Sequence, residues 1–518
     1  MYQLLLTRRY LTSKIMPLLA SLAVVLCTAM VLITWSVMGG FLKKFVASGR
    51  TMTGDVVITW PNTGFPHYQD LIDRLEADPI VAAATPVIEA FGLIQLPDGR
   101  NETVQIRGIH GPSYAQVTAY DDILWWKPLD KPVPADKKGD DPRLGLNDLM
   151  ARLQQQGRTL TRINPETDEA QGAVVPGIEV SGFNQREITG FYTPKVLLKR
   201  NKDGSTTPVD VFLPRNGEVI LNVLPLDLEG QAVSTVTRRL PVANEFHSGV
   251  FEFDKNIVLV ELGVLQDMLM MDEALRAVEA PATPGNPADG ESFAGAPPTQ
   301  PTEIDPARVT HVYVRGVGDL SAFGAADALR IRCEEIYAAF AAEHPDVPPE
   351  WNIRILTWED LNRTMINAVR TETTVVLVVF SFISLTAVFL VLAIFWAMIS
   401  EKTRDIGVLR SIGASRGGIA SLWLGYGLAI GIVGSILGLA AAYSIVININ
   451  PIHEWMGRAL GLQIWDPRVY YFVKIPNEVE PDRAAIVFFG GLFCSVAGAL
   501  WPAIRAANMH PVKALRFE

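Results

Sequence analysis

Four long apolar runs set the first constraint on what this sequence can fold into. They are residues 17–38, 373–399, 419–447 and 484–501, and none contains a charged residue. An α-helix needs about 20 residues to cross roughly 30 Å of hydrocarbon. The first three runs exceed that length, and the fourth is shorter but sufficient. Buried helices of a large soluble core are the alternative, but four such runs favour a membrane protein with four transmembrane α-helices.

The first run could be a cleaved export signal or a retained anchor. Arg8, Arg9 and Lys14 precede it, as the basic region of a signal peptide would. Its apolar part is longer than that of an ordinary signal peptide, and no small-x-small cleavage site closes it. We therefore expect a retained signal-anchor.

Basic residues concentrate in three segments, 1–16, 400–418 and 504–518, which would share one side of the membrane. The basic residues are Arg8, Arg9, Lys14, Lys402, Arg404, Arg410, Arg416, Arg505, Lys513 and Arg516, and the acidic residues are Glu401, Asp405 and Glu518. The positive-inside rule then predicts that both termini are cytoplasmic. Because the net charge of the chain is −10, the long segment outside must hold nearly all of the acidic residues, which argues against nucleic acid as a partner.

Residues 42–370 indicate a large α+β extracytoplasmic domain between the first and second spans. Strand-like stretches alternate with amphipathic helical ones, the former at 55–60, 103–109, 217–225 and 256–262 and the latter at 68–78 and 145–157. Two further stretches, 131–143 and 279–303, look like insertions. The second is rich in Pro, Ala and Gly, so we expect a disordered surface loop there.

The predicted fold class is therefore a membrane protein with four transmembrane α-helices in a 1+3 arrangement. The expected segments are a cytoplasmic interfacial helix at 1–16, the spans at 17–41, 371–399, 419–447 and 483–503, the extracytoplasmic domain at 42–370, a cytoplasmic coupling helix at 400–418, an extracytoplasmic loop at 448–482 and a cytoplasmic tail at 504–518.

No catalytic pattern stands out in residues 42–370. The histidines are scattered without an HExxH or paired-cysteine spacing, so a metal site is not expected. No GxSxG elbow occurs in that region. The chain lacks a GxxxxGK[ST] loop, so any ATP that drives it would bind another polypeptide. Cys27 and Cys494 fall in apolar runs and leave only Cys333 outside, which excludes an internal disulfide framework.

Glycines mark one face of the third span. Gly427, Gly431, Gly434 and Gly438 recur at helical spacing, and such a face lets another helix approach closely. The fourth span offers a possible counterpart in Gly490, Gly491, Ala497 and Gly498. We expect packing rather than substrate contact here. The absence of ionisable residues from the four apolar runs weakens an ion-coupled transport mechanism.

The stretch EKTRDIGVLRSIGAS at 401–415 is short and charged, and it separates the second and third spans. As a helix it would group Ile406, Leu409 and Gly413 on one side and pair Glu401 with Arg404 along another. A solvated, positively charged loop is one interpretation. A rigid docking element for a cytoplasmic partner is the other.

The stretch SEKTRDIGVLRSIGAS and the ending WPAIRAANMHPVKALRFE carry a resemblance to a known family. They are similar to the permease subunits of the MacB/FtsX-like class of ABC transporters. Within that class the chain is most similar to LolC/LolE lipoprotein-releasing permeases, through SVMGGFLKKF, FHSGVFEFDKNIVLVELGVLQDML, TWEDLNRTMINAVRTE and DPRVYYFVKIP. The two insertions do not fit this pattern.

The resemblance implies a non-catalytic subunit of the bacterial inner membrane. A second permease, identical or related, and a separate ABC ATPase dimer carrying ATP and Mg²⁺ would complete the complex. The work would be extraction of a lipoprotein toward a periplasmic carrier, and residues 1–16 would form an interfacial helix beside membrane lipids.

The resemblance also assigns residues to two sites. The coupling residues would be Glu401, Lys402, Arg404, Asp405, Gly407, Leu409, Arg410 and Gly413. An acyl-chain cavity between the first and second spans would be lined by Val37, Met38, Phe41, Phe380, Ile383, Leu385 and Phe389. Packing or lipid contact is the competing interpretation of this second set.

Three alternatives remain open from the sequence. An FtsX-like regulator would transmit ATP hydrolysis to a cell-wall hydrolase without moving lipid. A MacB-like exporter would release a peptide or toxin, although such chains usually carry a fused N-terminal ATPase. A membrane-anchored enzyme or receptor would need no ATPase and would bind its ligand on residues 42–370.

Overall fold

The computed structural model describes residues 15–129, 141, 143, 146–164, 167–187, 191–200, 206–226, 230–277, 302–460, 475 and 477–515. The chain divides into two compact units. A membrane unit comprises residues 1–44, 364–466 and 474–518, and a sheet unit comprises residues 45–363 and 467–473. The expected interfacial helix at 1–16 and both expected insertions lie outside the described residues, apart from a few positions at their ends.

The helices are numbered in chain order. They are α1 (Ile15–Arg50), α2 (Tyr68–Glu76), α3 (Gly111–Val117), α4 (Tyr120–Ile123), α5 (Asn147–Thr159), α6 (Leu213–Asn216), α7 (Phe251–Asn256), α8 (Leu262–Leu269), α9 (Asp327–Glu343), α10 (Trp358–Leu361), α11 (Arg363–Glu401), α12 (Thr403–Ser411), α13 (Arg416–Ile447), α14 (Ile449–Leu460), α15 (Pro481–Ala507) and α16 (Pro511–Leu515).

The strands follow the same convention. They are β1 (Val56–Thr59), β2 (Val81–Gln95), β3 (Asn101–Ile109), β4 (Thr161–Ile163), β5 (Ala170–Gly172), β6 (Val174–Pro176), β7 (Asn184–Arg186), β8 (Tyr192–Pro194), β9 (Val196–Arg200), β10 (Thr206–Asp210), β11 (Glu218–Val223), β12 (Val236–Pro241), β13 (Ile257–Glu261), β14 (Ala274–Ala277), β15 (Thr302–Asp305), β16 (His311–Gly316) and β17 (Arg354–Thr357).

Within the part of the chain that the structure describes, four helices of the membrane unit are long and apolar enough to cross a membrane. The candidate spans are Met16–Phe41, Ile366–Glu401, Arg416–Ile447 and Pro481–Ala507. The prediction of four apolar helices with a sheet-rich region between the first two is confirmed. Within the extracytoplasmic loop expected at 448–482, residues 449–460 form α14, a segment whose apolar residues recur at helical spacing.

Glycines bring α13 into close contact with two other spans. A Cβ added at Gly427 would lie 2.7 Å from the Ala499 Cβ of α15, and one at Gly438 would lie 1.8 Å from the Thr28 Oγ1 of α1. The Ser495 hydroxyl donates to the Gly427 carbonyl oxygen at 2.8 Å, so α13 and α15 also share a buried hydrogen bond. These contacts are closer than any residue with a side chain would allow, which explains the glycine face read from the sequence.

The described residues of the sheet unit form a sheet of nine strands. Its strand order is β17-β1-β16-β2-β3-β13-β6, and β11 joins the far end of β2 and pairs with β12. The pairing is antiparallel except between β3 and β13. Because alternate strand residues face opposite sides, Val312 and Val314 enter the larger core while Tyr313 enters the smaller one. Helices therefore cover both faces of the sheet.

Candidate functional site

The charged 401–415 stretch connects the second and third spans of the membrane unit. Helix α11 ends at Glu401, and α12 begins at Thr403. Lys402 between them leaves helical geometry with φ −99° and ψ 11°. The Thr403 hydroxyl donates to the Ile399 carbonyl oxygen at 3.0 Å, which satisfies one of the carbonyls at the end of α11. The junction is therefore a defined break in the helix.

Gly413 ends α12 in a Schellman motif. The Ala414 N–H donates to the Leu409 carbonyl at 3.0 Å, and the Gly413 N–H donates to the Arg410 carbonyl at 3.2 Å. Gly413 has φ +106°, a conformation that residues with a Cβ rarely adopt. Ser415 then caps α13, its hydroxyl accepting from the Gly418 N–H at 3.0 Å. Both ends of α12 are thus fixed by backbone geometry.

Helix α12 has one protected side and one open side. Thr403, Ile406 and Gly407 are buried, and the helix packs against α16. On the open side Val408 is 43% exposed, and Ile412, just past the helix end, is 80% exposed. Apolar side chains this exposed on a fixed helix form a surface that another protein could cover.

A groove of about 280 Å³ runs beside α12 in the membrane unit. Its apolar lining comes from α1, the end of α11, α12 and the first turns of α13. Charged groups occupy one edge, where the Lys402 Nζ lies 2.8 Å from the Asp405 Oδ2. The lining residues are Met16, Pro17, Met398, Glu401, Lys402, Asp405, Ile406, Val408, Leu409, Ile419, Leu422, Trp423 and Tyr426.

A second cavity of about 540 Å³ lies where α11 and α12 meet α15 and α16. Its lining includes Trp396, Thr403, Asn508 and His510. The Arg505 guanidinium lies 3.9 Å from the centre of the Trp396 ring, a cation–π contact between α15 and α11. Helix α12 is therefore flanked by two cavities.

Four of the eight residues assigned to coupling line the groove beside α12, namely Glu401, Lys402, Asp405 and Leu409. The other four do not. Arg404 is exposed, Gly407 is buried, the Arg410 Nη1 donates to the Ala414 carbonyl at 3.3 Å and Gly413 forms the turn.

Two local expectations for this stretch differ from the structure. Gly413 does not share a helix face with Ile406 and Leu409, because α12 ends at Ser411 and Gly413 is exposed in the turn. The coupling helix expected at 400–418 is limited to Thr403–Ser411, since Lys402 and the Schellman motif interrupt it.

Sequence reasoning missed the part of the groove contributed by α13. Ile419, Trp423 and Tyr426 line it and are buried. Their spacing of four and three residues places them on one helix face, a signal visible in the sequence. It was hidden because the whole third span is apolar, so periodicity alone does not separate a groove-lining face from a lipid-facing one.

The seven residues expected to line an acyl-chain cavity lie on α1 and α11, where they line neither cavity beside α12. Val37, Met38 and Phe41 are half-buried on α1. On α11 Phe380 and Ile383 are half-buried, whereas Leu385 and Phe389 are 49% and 59% exposed. Their role in an acyl-chain cavity stays a prediction.

Part of the membrane unit is similar to a known protein family. Residues 377–511 match the family described as FtsX-like permease C-terminal. The chain is 26% identical over 161 residues to the lipoprotein-releasing system transmembrane protein LolC of Neisseria meningitidis. The aligned part is 31% of this chain and 39% of LolC. It is 26% identical over 117 residues to LolE of Haemophilus influenzae, covering 23% of this chain and 28% of LolE.

A further relative is the macrolide export ATP-binding/permease protein MacB of Bdellovibrio bacteriovorus. It is 25% identical over 123 residues, covering 23% of this chain and 15% of MacB. The chain thus spans about two fifths of the length of the LolC relatives it matches.

Four helices among the described residues, long and apolar enough to cross a membrane, and a sheet-rich region between the first and second are features of a membrane protein. Through residues 377–511 the chain carries an FtsX-like permease domain, and it is similar to LolC, LolE and MacB.

Proposed function

We propose that this chain is the membrane subunit of an ATP-driven complex that extracts lipoproteins from the outer leaflet of a bacterial inner membrane. Relatives named as lipoprotein-releasing transmembrane proteins support this substrate. The observation that carries the proposal is α12, a short helix fixed at both ends that presents exposed apolar side chains beside a groove. A rigid element of this kind passes a movement from a docked partner to the spans on either side of it.

The partner docked on α12 would be a cytoplasmic ABC ATPase. Glu401, Lys402 and Asp405 at the edge of the groove supply charge for orientation, and Leu409 supplies apolar surface. In this arrangement both termini and residues 400–418 are cytoplasmic, as the distribution of basic residues indicates. The sheet unit then lies outside the cytoplasm. ATP and Mg²⁺ would bind the ATPase.

A second permease would complete the membrane part. In the most apolar part of α11 only 6% of the residues are buried within this chain, against 33% of those in α1 and 39% of those in α13. Its exposed face, which includes Leu385 and Phe389, is therefore available to a partner permease or to acyl chains. Extraction of acyl chains costs about 0.8 kcal/mol for each CH₂ withdrawn from lipid, which is tens of kcal/mol for two or three chains. ATP and an apolar periplasmic carrier together would offset this free energy.

The test is release of a labelled triacylated lipoprotein from proteoliposomes that contain the chain, its co-purifying ATPase and an apolar carrier. Ile412→Asp places a charge on the exposed surface beside α12. Because Ile412 is 80% exposed, we expect the variant to fold as the unmodified chain does. We expect it to abolish ATP-dependent release and to weaken co-purification of the ATPase. Gly407→Arg is a poorer probe because Gly407 is buried.

Val512→Asp is the matched control, since Val512 is 61% exposed on α16, the helix that packs against α12. Release that survives Val512→Asp but not Ile412→Asp supports docking at α12. Equal loss in both variants contradicts it. ATPase activity without release by the unmodified complex would contradict lipoprotein extraction and would favour a transmembrane regulator or a peptide exporter.

A further inference from the structure

The sheet unit brings together two histidines and a carboxylate that are far apart in the sequence. The ligand atoms of His67, His344 and Asp346 all lie within 4.8 Å of one another. His67 precedes α2, whereas His344 and Asp346 follow α9. No short motif predicts such a cluster, because only the packing of α2 against α9 creates it.

The contacts within the cluster are close. The His67 Nε2 lies 2.8 Å from the Asp346 Oδ2, and the His344 Nε2 lies 3.0 Å from the Asp70 Oδ2. The two imidazole rings stack with their centres 4.5 Å apart. Two imidazole rings and a carboxylate thus converge on one small volume, as the ligands of a metal ion do.

The surrounding charge also favours a cation. Asp70, Glu343 and Asp346 bring three carboxylates, and Arg74 pairs with the first two of them. The carbonyl end of α9 adds negative potential at His344, while the amino end of α2 at His67 opposes it. Among these described residues three carboxylates face one guanidinium, and a bound cation would offset that excess of negative charge.

The backbone holds His67 in an uncommon conformation. Its φ is +57°, which asparagine and glycine adopt more readily than histidine. The side chain is 33% exposed, and that of His344 is 26% exposed, so both rings are reachable from solvent. A histidine kept at a position better suited to asparagine is consistent with a requirement for its ring nitrogen.

We propose that His67, His344 and Asp346 bind a divalent transition-metal ion, with Zn²⁺ the best match. Two imidazole nitrogens and one carboxylate form a ligand set suited to Zn²⁺, Co²⁺ or Ni²⁺, whereas Ca²⁺ and Mg²⁺ prefer oxygen ligands alone. Solvent or a partner fills the remaining coordination position. The ion ties α2 to the end of α9 and stabilises the sheet unit. This inference is independent of the proposed function.

The experiment uses the untagged full chain in nanodiscs after removal of metal with EDTA. Titration with Co²⁺ should give the visible bands of one bound ion without a thiolate charge-transfer band, and Zn²⁺ should displace them. His67→Asn keeps the left-handed backbone favourable, and His344→Gln keeps a polar side chain. We expect each to weaken Co²⁺ binding by at least about tenfold.

His110→Ala is the matched control, because His110 is an exposed histidine of the same unit outside the cluster. Thermal unfolding in EDTA shows whether each variant is folded, and added Zn²⁺ should raise the Tm of the unmodified chain and of His110→Ala only. Co²⁺ binding that is missing from the unmodified chain overturns the proposal. So does binding that persists in the combined His67→Asn and His344→Gln variant.

Discussion

The Arg107 Nε lies 3.1 Å from the Glu89 Oε1 within the sheet unit, and the two residues are direct partners in the register of β2 and β3. Burial alone would raise the pKa of Glu89, but the charges of Arg107 and His311 and a hydrogen bond from Tyr313 together lower it. Burial likewise opposes the charge on Arg107, but Glu89, together with Tyr313 and Tyr114, outweighs that effect and raises the pKa of the guanidinium. Each charge therefore depends on the other.

Glu89→Gln should lower the free energy of unfolding of the sheet unit by about 3 kcal/mol, because Arg107 is left buried without its counter-charge. Thermal unfolding of the full chain, followed by tryptophan fluorescence, measures the change. Glu102→Gln is the control, since Glu102 lies on β3 and its side chain is 44% exposed. Similar Tm values for the two variants would show that the Glu89–Arg107 pair contributes no more to stability than the exposed Glu102 does.

Glu245 should make the sheet unit less stable as the pH rises. Burial raises its pKa to about 7, although Trp126, Asn184 and Ser181 donate hydrogen bonds to the carboxylate. The folded state therefore keeps a proton that the unfolded state releases at its ordinary pKa of 4.5. The contribution of Glu245 to the free energy of unfolding is full below about pH 4.5 and is lost as the pH rises through about 7. The total loss is about 3 kcal/mol.

Glu245→Gln removes this titration. We expect its Tm to change less than that of the unmodified chain between about pH 5 and pH 8, with the largest gain at the alkaline end. Thermal unfolding at matched pH values measures the difference between the two proteins. A constant difference across that range would mean that Glu245 does not titrate in it.

Gly438→Ala should loosen the packing of α13 against α1. The added Cβ would lie 1.8 Å from the Thr28 Oγ1 and 2.9 Å from the Val25 carbonyl oxygen, so one of the helices must shift. Such overpacking costs about 1–3 kcal/mol. Gly425→Ala on the same helix meets no atom within 4 Å and should be neutral. The Tm in detergent compares the two, and equal values would contradict the close approach of α13 to α1.

Gly413→Ala should strain the turn after α12. No atom lies within 4 Å of the added Cβ, so the expected penalty of about 1–2 kcal/mol comes from the backbone conformation alone. Amide hydrogen exchange in residues 409–415 should become faster as the Schellman motif opens. Gly417→Ala, which also meets open space but lies inside α13, should leave that exchange unchanged. Faster exchange in both variants would contradict the prediction that the positive φ of Gly413 is the cause.

Many elements could be predicted because they depend on local pattern. The strands at Val56–Thr59 and Ile257–Glu261 and the helix at Tyr68–Glu76 lie within the stretches that alternation and amphipathicity indicated. Helix α14 was missed because it follows the third span after a single residue, Asn448, in a region read as a loop. The residue at which α12 ends could not be predicted, because it depends on the φ angle at Gly413, which composition does not give.

By itself the sequence determined four spans, a sheet-rich region between the first two and a charged junction at 401–415, because hydropathy and charge act over neighbouring residues. The tertiary structure alone decided which side chains meet. It placed Trp423 and Tyr426 beside Leu409 in the groove, and His67 beside His344 in the sheet unit. Both sets of contacts come from the packing of one helix against another, and no local pattern records that packing.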